Sequence, residues 1–119
     1  GKTWAPAVLA SQKVLDANYP ALSAADDGRV GLIFQGRDPQ KQSGWSTTSA
    51  FLVEIDKNGQ LSAPIEVPGV PAPVVRPTLV EASNGSIFTA WTATIDGKPT
   101  VFLSRARHLQ LVREVATAN

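Results

Sequence analysis

The chain has the sequence PALSAADDGRVGLIF at residues 20–34 and the related sequence PTLVEASNGSIFTAW at residues 77–91. A shift of 57 positions aligns them, so that a Pro-x-Leu run, an Asx-Gly pair and a later aromatic residue occur in both. Two further matches follow in the same order, Phe51-Leu52 with Phe102-Leu103 at a shift of 51 and Glu66-Val67 with Glu114-Val115 at a shift of 48. The shift falls because the first copy has a longer loop at residues 37–47 and a longer turn at residues 56–60. Three matches in one order indicate an internal duplication.

Each copy predicts four short antiparallel strands. Asx-Gly pairs supply the positive-φ positions of tight hairpin turns, and they occur at residues 27–28, 58–59, 84–85 and 96–97. The predicted strands are residues 18–24, 29–35, 49–55 and 61–67 in the first copy, and 76–81, 86–92, 100–106 and 109–116 in the second. The runs from Val30 to Phe34 and from Ile87 to Trp91 are nearly continuously apolar, which is typical of strands buried on both faces.

A repeat of about fifty residues with four strands is typical of a β-propeller blade. The predicted fold class is therefore all-β, with blades of four antiparallel strands at residues 11–69 and 70–119, joined by the Pro-rich segment 67–73. A small two-sheet sandwich also takes eight short strands, but it has no reason to repeat at this period. Residues 1–10 resemble residues 59–64, so we expect them to be the last strand of a preceding blade.

Two blades and one strand form an incomplete ring, of about six blades when complete. Closure takes at least four blades, so we expect either other copies of the chain or missing blades to complete it. The chain contains no Met and has no charged-then-apolar leader. We therefore expect a processed or excised piece whose true beginning lies upstream.

Composition excludes several classes of function. The 119 residues carry 11 Lys and Arg against 10 Asp and Glu, a net charge of +1 that predicts neither nucleic-acid binding nor attraction to anionic lipid. No apolar run approaches the roughly 20 residues of a membrane helix, so membrane insertion is not expected. There is no Cys and a single His, His108, so no metal site, thiol nucleophile or cofactor is predicted. His108 is expected in an exposed turn.

Two segments resemble the Asp-box, the Ser-x-Asp-x-Gly-x-Thr-Trp hairpin that is repeated around sialidase propellers (BNR repeats). Residues 1–6, GKTWAP, match its second half, and residues 56–64, DKNGQLSAP, resemble a degenerate copy. Residues 18–22, NYPAL, and 34–37, FQGR, are similar to the first sialidase blade, which has Arg-Ile-Pro-Ala-Leu and then an aromatic residue near Glu-Gly-Arg. The resemblance covers essentially the whole chain as blades. It implies export, to a secreted or periplasmic location.

The sialidase resemblance also implies a site for a carboxylate-bearing sugar. The family binds the sialic acid carboxylate with three arginines, uses a Tyr backed by Glu as nucleophile and an Asp as acid/base. Asn18 stands at the first arginine position and Tyr19 at the Ile position, whereas Arg37 matches a second arginine. The acid/base Asp position falls on residues 42–44, QSG, and Asp38 is adjacent to Arg37. The scaffold therefore matches, while most of the catalytic signature does not, and no catalytic residue is assigned.

Four residues are predicted to bind a ligand: Arg37, Asp38, Trp45 and Arg76. Arg37 and Asp38 begin the longest loop, whose Trp45 could provide a platform for a sugar. The alternative is that Arg37 and Asp38 form a local ion pair while Trp45 packs the loop onto its sheet. Arg76 could face a central site from an innermost strand, or could be a solvent-facing residue at a strand end. Trp4 and Trp91 are expected in the core.

These features predict a non-catalytic recognition or scaffold portion of a sialidase-like propeller, with a glycan or a sialic-acid-like molecule as its ligand. The alternative is a fragment of an exo-sialidase, or a related glycoside hydrolase, whose catalytic residues lie largely outside these residues. A third hypothesis is a ring that only binds other proteins, because propellers carry many functions.

Overall fold

A computed structural model describes residues 2–41, 47–69 and 73–107, which form two antiparallel sheets. The first sheet contains four strands in the order β1-β2-β3-β4, and the second contains three in the order β5-β6-β7. Their bounds are β1 Leu15–Ala24, β2 Val30–Arg37, β3 Ser49–Ile55, β4 Ile65–Glu66, β5 Val74–Glu81, β6 Ser86–Ile95 and β7 Lys98–Arg107. The all-β class is confirmed.

Seven of the eight predicted strands lie in the described part of the chain, and each has a counterpart there. The fourth strand is shorter than residues 61–67, because Pro64 has no N–H to donate to a ladder. Only Ile65–Glu66 pairs regularly with β3, while Leu61 forms an isolated bridge with Ile55. The predicted strand 109–116, like Glu114, Val115 and His108, lies outside the described residues.

The first hairpin turn of each sheet is built in the same way. The glycine N–H donates to the alanine carbonyl three positions earlier, at 3.1 Å for Gly28 and 3.0 Å for Gly85. The Asx side chain accepts from the backbone N–H two positions later, at 3.1 Å for Asp27 and 3.0 Å for Asn84. Both glycines have positive φ, 90° and 84°, a conformation that side chains with a Cβ rarely adopt.

Stacked aromatic pairs also occupy equivalent places in the two sheets. Phe34 of β2 faces Phe51 of β3 with ring centroids 5.9 Å apart and planes at 19°. Trp91 of β6 faces Phe102 of β7 at 6.0 Å and 14°. The internal repeat predicted from the sequence is therefore present in turn hydrogen bonds and in ring packing.

The main hydrophobic core lies between the two sheets. Strand β5 packs on β1 and β2, and the buried side chains between the sheets come from both. They are Ile33, Ala50, Leu52, Val67, Val74, Leu79, Ile87, Trp91 and Ala93. Strand β2 is buried on its other face as well, where Phe34, Phe51 and Val53 form a second cluster. Burial of β2 on both faces agrees with its apolar sequence.

Residues 2–10 do not form a strand, and they pack on neither sheet as the expected strand would. The Trp4 side chain is 94% exposed, so the prediction that it is a core residue is wrong. The reason is that none of the seven strands in the described part of the chain pairs with this segment. Trp91, by contrast, is buried as predicted.

The first turn carries a pH-dependent contribution to stability. The backbone N–H of Arg29, followed by its side chain, donates to Asp27 and lowers the pKa of that carboxyl below its ordinary value of 3.8. A lowered folded-state pKa stabilises the fold above the unfolded-state pKa, and this contribution is lost as the pH falls through the folded value.

We expect Asp27→Asn to lower the free energy of unfolding slightly at neutral pH. The difference from the wild type should begin to shrink below about pH 4 and vanish once the pH has fallen through the lowered folded-state pKa of Asp27. The effect is small because the pair is exposed to solvent. Urea unfolding at a series of pH values measures it. Asp26→Asn is the matched control, since Asp26 takes no part in these hydrogen bonds. Equal pH profiles for the two variants would contradict the assignment.

Candidate functional site

Both sheets contain a β-bulge at the same repeat position in their first strand. In β1, Asn18 pairs with Gln35 and Ala21 with Ile33, which leaves one extra residue on β1. In β5, the pairs Val75 with Thr92 and Thr78 with Ala90 leave one extra residue on β5. All four pairs are related by the shift of 57 positions.

The bulges hold Tyr19 and Arg76 in left-handed backbone conformations, with φ of 53° and 51°. Each of these residues precedes a proline, Pro20 or Pro77, which normally favours extended backbone. Such conformations cost of the order of 1–3 kcal/mol and are often found at functional sites.

Arg76 lies on Tyr19, across the boundary between the two sheets. The guanidinium carbon of Arg76 is 5.0 Å from the centroid of the Tyr19 ring, within the range of a cation–π contact. The backbone N–H of Arg76 donates to Oε1 of Gln35 at 2.7 Å, and Gln35 is buried. Arg76 is itself exposed, and in the described ranges no ion pair joins it to a carboxylate.

Arg37 lies on the same face of β2 as Gln35, at the end of the strand. Its Nε donates to Oδ2 of Asp16 at 2.6 Å. The side chain of Arg37 is 16% exposed, whereas that of Asp16 is 66% exposed. Asp16 has a φ of 53° and lies in a second bulge of β1, between Leu15 and Asn18. The bulge thus places an acidic partner beside Arg37.

Asp38 does not pair with Arg37, so the local ion pair that was the alternative to a binding role is not formed. Its Oδ1 instead accepts the backbone N–H of Gln40 at 2.9 Å, in a turn after β2. The physical reason is that short Asp side chains readily hydrogen-bond the backbone two residues on, while Arg37 has a closer partner in Asp16.

A cavity of about 580 Å³ lies beside Asp38, away from Arg76. Residues 12–14, 38–41 and 63–69 form most of its wall, with Ser49 and Phe51. At its rim, Nζ of Lys41 donates to both carboxylate oxygens of Glu66, at 2.6 and 2.8 Å. Neither Arg37 nor Arg76 lines this cavity.

The structure thus divides the four predicted residues. Arg76 contacts Gln35 through its backbone N–H, and Arg37 follows Gln35 by two residues on the same face of β2. Asp38 lines the separate cavity, and Trp45 lies outside the described residues. Arg76 is exposed, which agrees with the alternative that it is a solvent-facing residue. It lies within β5, however, and not at a strand end.

Sequence reasoning missed Asp16, Tyr19 and Gln35 as parts of this site. One signal could have found Tyr19: it is the repeat equivalent of Arg76, and equivalent residues of neighbouring units lie side by side. No sequence signal points to Asp16, because its contact with Arg37 depends on a bulge.

Comparisons with known proteins find no relative. No family model matches the chain, and neither the curated proteins nor the solved structures contain a match. Among the described residues, no group of three or more His, Asp or Glu side chains could hold a metal ion. No helix in the described part of the chain is long and apolar enough to cross a membrane.

Proposed function

We propose that the two sheets are blades of a sialidase-like β-propeller, and that the chain is a non-catalytic recognition module for an anionic glycan. The blade assignment is supported by the repeat of turns, bulges and stacked rings from one sheet to the next. The packing of the first strand of one sheet, β5, against the first strand of the other, β1, also supports it. In a propeller these would be the innermost strands, which surround the central axis.

The arrangement of Arg76 carries the proposed function. The Arg76 side chain is exposed, and its guanidinium is oriented by the Tyr19 ring. The backbone N–H of Arg76 is held by a hydrogen bond to the buried Gln35. A planar guanidinium that already has an orientation loses less entropy when it binds, and its fork of donors matches a carboxylate. The half-exposed Tyr19 ring adds an apolar surface of the kind that sugar rings stack on. Together they fit a sugar that carries a carboxylate, such as sialic acid.

The nearby carboxylates support binding without catalysis. Glycoside hydrolysis needs a free carboxyl group as acid/base, together with a carboxylate or an activated tyrosine as nucleophile. Asp16 is engaged by Arg37, and Asp38 is engaged in its turn and lines a different cavity. The Tyr19 ring lies under the Arg76 guanidinium, and among the described residues no base forms a hydrogen bond with the Tyr19 hydroxyl.

We expect Arg76→Ala to weaken binding of a methyl sialoside by about tenfold or more, because a hydrogen bond to a charged group contributes about 1.5–3 kcal/mol. NMR titration of the labelled chain measures the affinity. The matched control is Arg105→Ala, which removes another exposed arginine, from β7. Lactose and sialyllactose, compared in the same titration, separate carboxylate recognition from general sugar binding.

Two results would contradict the proposal. Equal affinities of the wild type and Arg76→Ala for the sialoside would remove Arg76 from the site. Release of dye from a chromogenic sialoside by the wild type, lost in Arg37→Ala, would favour the hydrolase alternative over a non-catalytic module.

A further inference from the structure

The outer face of the second sheet is apolar and exposed. Its side chains point away from the first sheet, and we call it the open face. It is formed by Thr78, Val80, Phe88, Ala90, Thr92, Val101 and Leu103, with the charged Arg105 at its end opposite Phe88. Phe88 and Ala90 are half-buried. Val80 is 59% exposed, Val101 75% and Leu103 71%. Branched aliphatic side chains on a sheet normally pack against a second layer.

The repeat shows what covers the same positions elsewhere in the molecule. Leu103 and Val101 correspond to Leu52 and Ala50 of the first sheet, by the shift of 51 positions. Both Leu52 and Ala50 are 0% exposed, because the second sheet packs over them. The open face is therefore the equivalent of a surface that the chain already uses as an interface.

The second sheet's side of that interface also has a repeat equivalent, which lies on the first sheet and is exposed. Leu79 of β5 is 6% exposed and packs on Gly31 of β2, where a Cβ would lie 2.6 Å from its Cδ2. Its repeat equivalent, Leu22 of β1, is 67% exposed. Side chains alternate along a strand, and Ser23 contacts Glu81 of the second sheet. Leu22 therefore points away from the second sheet, on what we call the Leu22 face.

We propose that the Leu22 face of one copy docks on the open face of another, as β5 docks on β1 and β2 within the chain. This contact would continue the intrachain interface along β1, because Val80, Val101 and Leu103 on one half and Leu22 on the other are exposed. Phe34, the repeat equivalent of Trp91, is already buried in the second cluster and takes no part in it. The open face carries Val80 and Phe88 where the first sheet has Ser23 and Gly31. The contact between copies is therefore more apolar than the one inside the chain. This proposal rests on the repeat and is independent of the glycan site.

Such a contact joins two different surfaces, so it is heterologous and leads either to a closed ring or to an open chain of copies. Multi-angle light scattering on a sizing column, at increasing concentration, tests it. We expect the wild type to exceed the mass of one chain, and Leu22→Lys and Leu103→Lys each to have that mass. Leu9→Lys is the control, because Leu9 is 75% exposed and lies on neither face.

Mixing the two single variants gives the sharpest test. Leu22→Lys keeps its open face and Leu103→Lys keeps its Leu22 face, so a mixture can form one contact and no more. We expect a species of two chains in the mixture and only single chains in either variant alone. A symmetric contact through the open face alone would instead leave Leu22→Lys associated and give no mixed species, which would overturn the proposal.

A wild type with the mass of one chain at the highest soluble concentration would also overturn it. Both substituted side chains are exposed in the single chain, so the variants should fold, and far-UV circular dichroism checks this. Val101→Lys replaces Leu103→Lys if the latter does not fold. Sialoside titration of the single-chain variants is a separate readout, since neither Leu22 nor Leu103 takes part in the cation–π contact with Tyr19 or the hydrogen bond with Gln35 that position Arg76.

Discussion

Leu52→Ala is expected to lower the free energy of unfolding by about 2–5 kcal/mol. Leu52 is fully buried between the two sheets, where Ile33 and Val74 are also 0% exposed. Truncation removes apolar area from the core and leaves a cavity, because β3 is held in register by the neighbouring β2 and cannot move inward freely. Urea unfolding followed by circular dichroism measures the loss.

The repeat supplies a matched control for this prediction. Leu103 is the same residue type at the equivalent repeat position, but its side chain faces solvent in the single chain. Leu103→Ala should change the free energy of unfolding by no more than about 0.5 kcal/mol, the range of most surface substitutions. The unfolding of the two variants is compared at concentrations where the protein is monomeric. Equal losses for the two variants would mean that the sheets do not pack as described.

The elements that sequence analysis predicted well depend on local interactions. The turns at Gly28 and Gly85 follow from an Asx residue and a glycine within four positions, whose hydrogen bonds involve no distant residue. The strands β2 and β6 follow from runs of apolar residues between such turns. Because the sequence is repeated, each turn and strand is predicted in both copies, and the two predictions support one another.

The contacts of the candidate site were not predictable, because they depend on the register between strands. Arg37 and Asp16 are 21 positions apart, and their contact arises from a bulge that adds one residue to β1. The sequence around Asp16 contains no glycine to mark that bulge. The alternative ion pair was placed on Asp38, the nearest acid in sequence, and the structure has Asp16 there instead for this reason.

The exposure of Trp4 has a similar explanation. Its flanking residues match residues 59–64 of the first copy, and this local likeness predicted a strand. A strand at the edge of a sheet, however, is stable only through its neighbour, and local sequence does not reveal whether that neighbour is present. Trp91, with the same side chain, is buried because β7 lies beside it and the first sheet lies over it.

Trp91→Ala is expected to have the largest effect of any single substitution here, a loss of about 3–5 kcal/mol in the free energy of unfolding. The indole is 5% exposed and belongs to the core between the sheets, and it also stacks on Phe102. Removing it therefore affects both the packing of one sheet and the contact between the two. Circular dichroism is the better probe of unfolding, because Trp91 itself contributes to the fluorescence.

Trp91→Phe separates the contribution of the ring from that of its polar atom. Nε1 of Trp91 is buried and has no hydrogen-bond partner among the described residues, and an unsatisfied buried donor costs about 1–3 kcal/mol. Phenylalanine removes that donor and keeps a ring to stack on Phe102, as Phe34 does on Phe51 in the other sheet. We therefore expect Trp91→Phe to lose about half as much as Trp91→Ala, or less, because relief of the unsatisfied donor offsets the smaller buried area. Equal losses would indicate that the full indole volume, rather than an aromatic ring as such, holds the two sheets together.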